Sequence, residues 1–192
     1  MNICVYGASS NSIDKSYIEA NEKLGKLLAQ KGHTVVYGGG AGGMMGAVAR
    51  GARSQNGNVI GISPKFFVTD GSLYDNCTEF VYTETMRERK QILEDKSEAF
   101  IVTPGAVGTM DEFFEIFTLR QLSRHNKPIA IYNVNNFYKE LIDMMNRAID
   151  EHFMTEKNRY LYFLSENPEE VINYVENFVP EETKLTDLKD VK

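Results

Sequence analysis

The chain has 192 residues, 42% apolar and 25% charged, a balance that supports one ordinary hydrophobic core without disulfide or metal staples. Its formal net charge of -6 excludes a broad surface for a phosphate backbone, so nucleic acid is not an expected partner. The opening MNICVYGASSN has no basic stretch, and about 18 consecutive apolar residues occur nowhere, so neither a secretory signal nor a membrane partner is expected and the cytoplasm is the default compartment.

From the N-terminus, Asn2 to Tyr6 is short, apolar and β-prone, and GASSN follows it. A helical pattern runs from about Ser12 to Lys31, with Leu24, Leu27 and Leu28 at helical spacing and Gly32 as its stop. Thr34 to Tyr37 reads as a strand that breaks into GGGAGGMMG, a tight turn feeding a helix from Met45 to about Ser54. Val59 to Ile62 is a third strand, 63 to 76 a loop, Glu79 to Thr83 a strand and Glu84 to Asp95 a helix. Ala99 to Thr103 is a buried strand running directly into PGAVGT, and Met110 to Ser123 is a helix. Its Met110, Phe113, Phe114 and Phe117 make one apolar stripe, suited to the core or to an interface. Ile129 to Tyr132 is a strand, Phe137 to His152 a helix, Tyr160 to Leu164 a last strand and Pro168 to Phe178 a last helix.

Strands alternating with helices predict an α/β fold: a Rossmann-like, doubly wound, mainly parallel sheet with helices on both faces. One domain is expected over residues 1–179, followed by a mobile charged tail to Lys192. Neither Cys4 nor Cys77 lies in a paired motif, and His33, His125 and His152 are scattered, so no metal site is expected. No cofactor is implied either. A nicotinamide fingerprint needs G-x-G-x-x-G after the first strand and an acid after the second, whereas the chain has GASSNS and then Tyr37 with glycines.

Ligands of an open parallel sheet bind at the carboxyl ends of its strands. Three glycine-containing turns fall there, Gly7 to Ser10, Gly38 to Gly46 and Gly105 to Thr109, and their convergence says more than any one of them. In the second, Gly39 and Gly40 are candidate binding positions. In the third, TPGAVGTMDE, small residues admit an anion to the unpaired N–H groups of the next helix, and the Thr109 hydroxyl adds a donor. A small phosphate is the natural occupant. The spacing alone fits equally a plain strand-to-helix turn whose Asp111 and Glu112 complement the helix dipole. The stretch TETMRERKQILEDK puts Met86, Lys90 and Leu93 on one stripe with Arg89 beside it, which by itself describes a solvated charged helix.

Together these pieces resemble one family. PGAVGTMDE, from Pro104 to Glu112, is similar to the PGGxGTxxE signature of the cytokinin-activating LOG (Lonely Guy) family, long labelled lysine decarboxylases. MRERK, from Met86 to Lys90, is similar to its MHxRK-type signature. YGGGAGGMMGAVARGA, KPIAIYNVNNFY and FLSENPEEVINYVENF extend the resemblance from Met1 to about Phe178. It implies hydrolysis of a nucleoside 5'-monophosphate, a cytokinin riboside monophosphate or AMP, to free base and ribose 5-phosphate, usually by a homodimer. It also places the family's essential arginine and glutamate on Arg89 and Glu112. The substrate-binding stretch falls on Lys90, on Gly105, Ala106, Val107, Gly108, Thr109, Met110 and Asp111, and on Thr118.

Cleavage of an N-glycosidic bond builds oxocarbenium charge, which a carboxylate stabilises while orienting water. Glu112 is assigned that role. Arg89 either holds Glu112 ionised or binds phosphate, and Lys90 supplies a second cation. Two departures from the family pattern stand out, Ala106 for the second glycine and Arg87 for the histidine. Ala106 would favour the alternative of a nucleotide-binding module without turnover if the turn requires positive φ there. A pyridoxal phosphate decarboxylase is disfavoured, since no lysine has a context specifying a Schiff base.

Overall fold

The computed structural model describes residues 1–180, without the side chains of 69 and 70; the tail expected to be mobile lies, beyond Pro180, outside the described residues. Seven strands form one parallel sheet in the order β4-β3-β2-β1-β5-β6-β7. In chain order these are β1 (Asn2–Tyr6), β2 (Thr34–Tyr37), β3 (Val59–Pro64), β4 (Glu79–Thr83), β5 (Ala99–Val102), β6 (Ile129–Tyr132) and β7 (Phe163–Ser165). The helices are α1 (Lys15–Gln30), α2 (Gly43–Ser54), α3 (Met86–Asp95), α4 (Val107–Gln121), α5 (Lys139–Asp150) and α6 (Pro168–Glu176). The doubly wound α/β architecture expected from the alternation is the one observed.

Side chains alternate across the sheet, and each face is covered by helices. From β1, Ile3 and Val5 join a core with Leu24 and Leu28 of α1, Val48 of α2 and Val171 of α6. Cys4 and Tyr6 join the opposite core with Leu93 of α3, Phe113 and Phe117 of α4 and Met145 of α5. A fully buried Leu or Phe contributes about 1.5–3 kcal/mol to this packing. Phe114, expected on the same stripe as Phe113, is 36% exposed, because the α4 stripe is narrower than the sequence spacing suggested.

Local chemistry sets the boundaries. Asp14 accepts from Ser16 N–H at 2.8 Å, so α1 starts at Lys15 rather than Ser12. Thr85 caps α3 by accepting from Glu88 N–H at 3.1 Å. The 63–76 loop holds a 3-10 turn over Lys65–Asp70, and a second such turn over Glu156–Tyr160 delays the last strand to Phe163. α4 begins at Val107, three residues before the expected Met110, so Gly108 and Thr109 belong to its first turn.

The direction of winding reverses between β1 and β5, which carry the first and third glycine turns at their carboxyl ends. Among the described residues no helix is long and apolar enough to cross a membrane.

Candidate active site

The three turns meet at that switch point and are bonded to one another. Ala8 N–H donates to Pro104 O at 3.0 Å, and Met45 N–H to Ala8 O at 3.1 Å. Asn11 Oδ1 accepts from Gly43 N–H at 2.9 Å. A lip from the 71–74 segment crosses the second turn: Ala41 N–H donates to Ser72 O at 2.8 Å and Tyr74 N–H to Gly39 O at 2.9 Å. Beneath it lies a cavity of about 700 Å³, within the usual range for a small-molecule site. Ser9, Ser10, Phe67, Leu73, Met45 and Met86 give it mixed polar and apolar walls.

Arg89 and Glu112 face each other on the cavity wall. Arg89 Nη1 donates to Glu112 Oε1 at 2.7 Å, and Arg89 Nε donates to Ile62 O at 3.1 Å. Two elements fix this geometry. The capped start of α3 orients Arg89, and the early start of α4 puts Glu112 on its buried side. Gly38 completes the seat, since a Cβ there would lie 1.8 Å from Arg89 Nη2. Burial raises the Glu112 carboxyl above its usual 4.5, and the attraction of Arg89 offsets only part of that. A desolvated carboxylate held by one permanent cation suits stabilisation of transient positive charge.

The start of α4 is open. Its N-cap Ala106 contributes no side-chain hydrogen bond, so the first N–H groups of the helix retain no side-chain acceptor there. Ala106 has φ -101, outside the positive-φ region that would call for a glycine. Gly108 and Thr109 lie on the cavity wall, and a Cβ on Gly108 would meet nothing within 4 Å.

The other candidate residues are distributed unevenly. Gly40 and Asp111 also border the cavity. Gly39, with φ 78, is buried against Phe80 and Ser63 behind the wall. Gly105 is buried, with Thr109 Oγ1 2.1 Å from where its Cβ would be. Lys90, Val107 and Met110 line a separate open depression on the outer side of α3 and α4, together with Phe114 and Glu115. Lys90 is paired with Asp111 at 3.0 Å and Glu115 at 2.6 Å rather than pointing into the cavity. Thr118 is exposed further along α4 and borders neither. Arg87 is exposed and is not on the cavity wall.

Sequence reasoning placed Ser9, Ser10 and Gly38 in the converging turns without assigning them a role, and it missed Asn11, Phe67 and Leu73. The lip has no periodicity, and its antiparallel bridge from Leu73 to Gly40 joins residues far apart in sequence. None of His33, His125 and His152 lines the cavity. Burial pushes the His125 imidazole down to about 4 and the Cys4 thiol up to about 12, leaving both uncharged at neutral pH. Among the described residues no three His, Cys, Asp or Glu side chains gather as a metal set.

A family model described as "Possible lysine decarboxylase" matches residues 45–175. The chain is 34% identical to the cytokinin riboside 5'-monophosphate phosphoribohydrolase LOG of Oryza sativa subsp. japonica, covering 93% of this chain and 74% of that protein. It is 32% identical to the phosphoribohydrolase LOG7 of Arabidopsis thaliana, covering 96% and 85%. By fold it is similar to a molybdenum cofactor binding protein from Rippkaea orientalis, with TM-score 0.71 and 20% identity over 91% of this chain and 94% of that one. The two signatures that carry the resemblance, MRERK and PGAVGTMDE, are the segments that supply the Arg89–Glu112 pair, and the chain belongs to the LOG family of cytokinin riboside 5'-monophosphate phosphoribohydrolases.

Proposed function

We propose that this protein hydrolyses the N-glycosidic bond of a nucleoside 5'-monophosphate, AMP or an N6-substituted relative, to free base and ribose 5-phosphate. The observation that carries this reading is the buried Arg89–Glu112 pair, set one helical turn from the uncapped start of α4 on the wall of a single cavity. Phosphate at the first N–H groups of α4 would hold the ribose beside Glu112. As the C1'–N bond breaks, its electron pair leaves with the base, and positive charge develops on the ribose. The Glu112 carboxylate faces that charge and accepts a proton from the water that bonds to C1'. The departing base takes up a proton from solvent. Arg89 orients Glu112 and offsets part of the cost of its ionised form, while Phe67, Leu73, Met45 and Met86 offer apolar surface to the base.

Incubation with AMP and with isopentenyladenosine monophosphate, followed by chromatography of free base and ribose 5-phosphate, tests the reaction. Stoichiometric release of both products is expected, and the rate ratio gives the base preference. Binding without release would establish a nucleotide-binding module instead.

Gly108→Ala tests the place of the phosphate. Replacing a helical glycine by alanine stabilises by about 0.5–1 kcal/mol where the methyl group has room, and Gly108 has room. The same methyl group enters the cavity beside the α4 amides. A higher melting temperature together with about tenfold weaker AMP binding is expected. Unchanged affinity in the stabilised variant would move the phosphate elsewhere.

A further inference from the structure

The segment after β6 reads NVNNFY, and nothing in the reaction above uses it. Asn135 and Asn136 adopt left-handed backbone conformations, φ 55 and φ 53, which asparagine tolerates better than most residues. The chain thereby turns sharply and brings Tyr138 back over the end of β5. Asn133, 3% exposed, fixes the arrival point by accepting from Tyr138 N–H at 2.8 Å. Asn133 Nδ2 in turn donates to Asn136 Oδ1 at 3.0 Å.

Tyr138 is 2% exposed, and its hydroxyl donates to Thr103 O at 2.8 Å. This hydroxyl therefore ties the start of α5 to the carbonyl at which the turn between β5 and α4 begins. Thr103 is held from the other side, where its N–H and its Oγ1 both donate to Tyr6 O, at 2.9 Å and 2.8 Å. The turn is fixed on its β1 side by backbone and on its α5 side by this phenol. Gly105 has little freedom of its own, since its α-carbon is packed against Thr109. The position of Gly105 and Ala106 determines where the first amides of α4 point.

We propose that Tyr138 is a positioning residue for the substrate's phosphate: its hydroxyl clamps the Thr103 carbonyl from which the turn that aims the α4 amides departs. The inference rests on the nucleotide reading above. Tyr138 does not line the cavity, so it acts through the turn and not by contact with substrate. Loss of the hydroxyl loosens the anion site and leaves the walls that face base and ribose in place.

The test is Tyr138→Phe, compared with wild type for AMP and adenosine binding by calorimetry, with amide hydrogen exchange of residues 104–109 in the unliganded protein. About tenfold weaker AMP binding, unchanged adenosine binding and faster exchange confined to the turn are expected. A purely structural role would weaken both ligands alike, and that result overturns the clamp, as does unchanged AMP affinity. If Tyr138→Phe does not fold, Asn133→Ala, which releases the Tyr138 backbone without touching the turn, gives the same selective loss or overturns the proposal. Failure of wild type to bind AMP overturns the nucleotide reading and the clamp with it. Binding by wild type with no selectivity in the variant overturns the clamp alone.

Discussion

Glu112→Gln is expected to lower kcat for base release by about a thousandfold or more while AMP still binds and the fold is at least as stable at neutral pH. The rate loss follows from charge. Glutamine keeps the shape and the hydrogen bond to Arg89 but cannot face an oxocarbenium centre with a negative charge or take the proton of water. The stability claim follows from linkage. Burial raises the Glu112 carboxyl above 4.5 in spite of Arg89, so the fold favours the protonated carboxyl over the ionised one. That contribution is complete below the unfolded value and is lost as pH rises through the higher folded value. At neutral pH the carboxylate is the form that costs stability, and glutamine is the neutral isostere of its protonated state. Thermal melts at acidic and neutral pH, beside single-turnover kinetics, check both halves. The melting temperature of the variant should gain on wild type as pH rises. Collapse of the fold would mean that the Arg89 attraction outweighs desolvation, and full activity would remove Glu112 from the chemistry. For the same reason the acid limb of kcat/KM in wild type should lie above the range of an ordinary glutamate.

The fold was legible because each strand is short, apolar and followed by a helix, and because parallel winding sends every strand's carboxyl end to one edge. The convergence of the GASSN, GGGAGG and PGAVGT turns follows from that topology, before any side chain is placed. Elements lacking periodicity were not legible: the 3-10 turn of Lys65–Asp70 and that of Glu156–Tyr160 have no pattern to read. Arg89 is a harder case. Its helix reads as a solvated charged face, and only the family resemblance singled it out. The structure buries it because Gly38, on another element, leaves space for a guanidinium. Lys90 shows the converse. Its signature position implied a phosphate contact, but Asp111 and Glu115, one helical turn apart on α4, provide two nearer anions. Sequence identifies which residue types are present, while the choice among competing partners depends on three-dimensional proximity.

Gly38→Ala should reproduce the loss of Arg89 without touching a charged residue. Arg89→Ala removes the only cation paired with Glu112 among the described residues, so the carboxyl rises further and a buried carboxylate is left without a partner at neutral pH. Expected results are a kcat/KM lower by about a hundredfold or more, an acid limb moved to higher pH, and stability that falls more steeply than in wild type as pH rises. At Gly38 the cause is steric. A methyl group would lie 1.8 Å from Arg89 Nη2, 3.0 Å from its Cζ and 2.6 Å from Met45 Cε. The methionine end can swing aside. The guanidinium is held by Ile62 O at 3.1 Å and by Glu112 at 2.7 Å, and it must break one of these bonds to move. The two substitutions should therefore not add: Gly38→Ala in the Arg89→Ala background should change activity by less than about twofold, because its target is already gone. Additive losses would show that Gly38 serves the cavity by another route, and full activity in Gly38→Ala alone would show that the guanidinium has a second seat from which it can still hold Glu112.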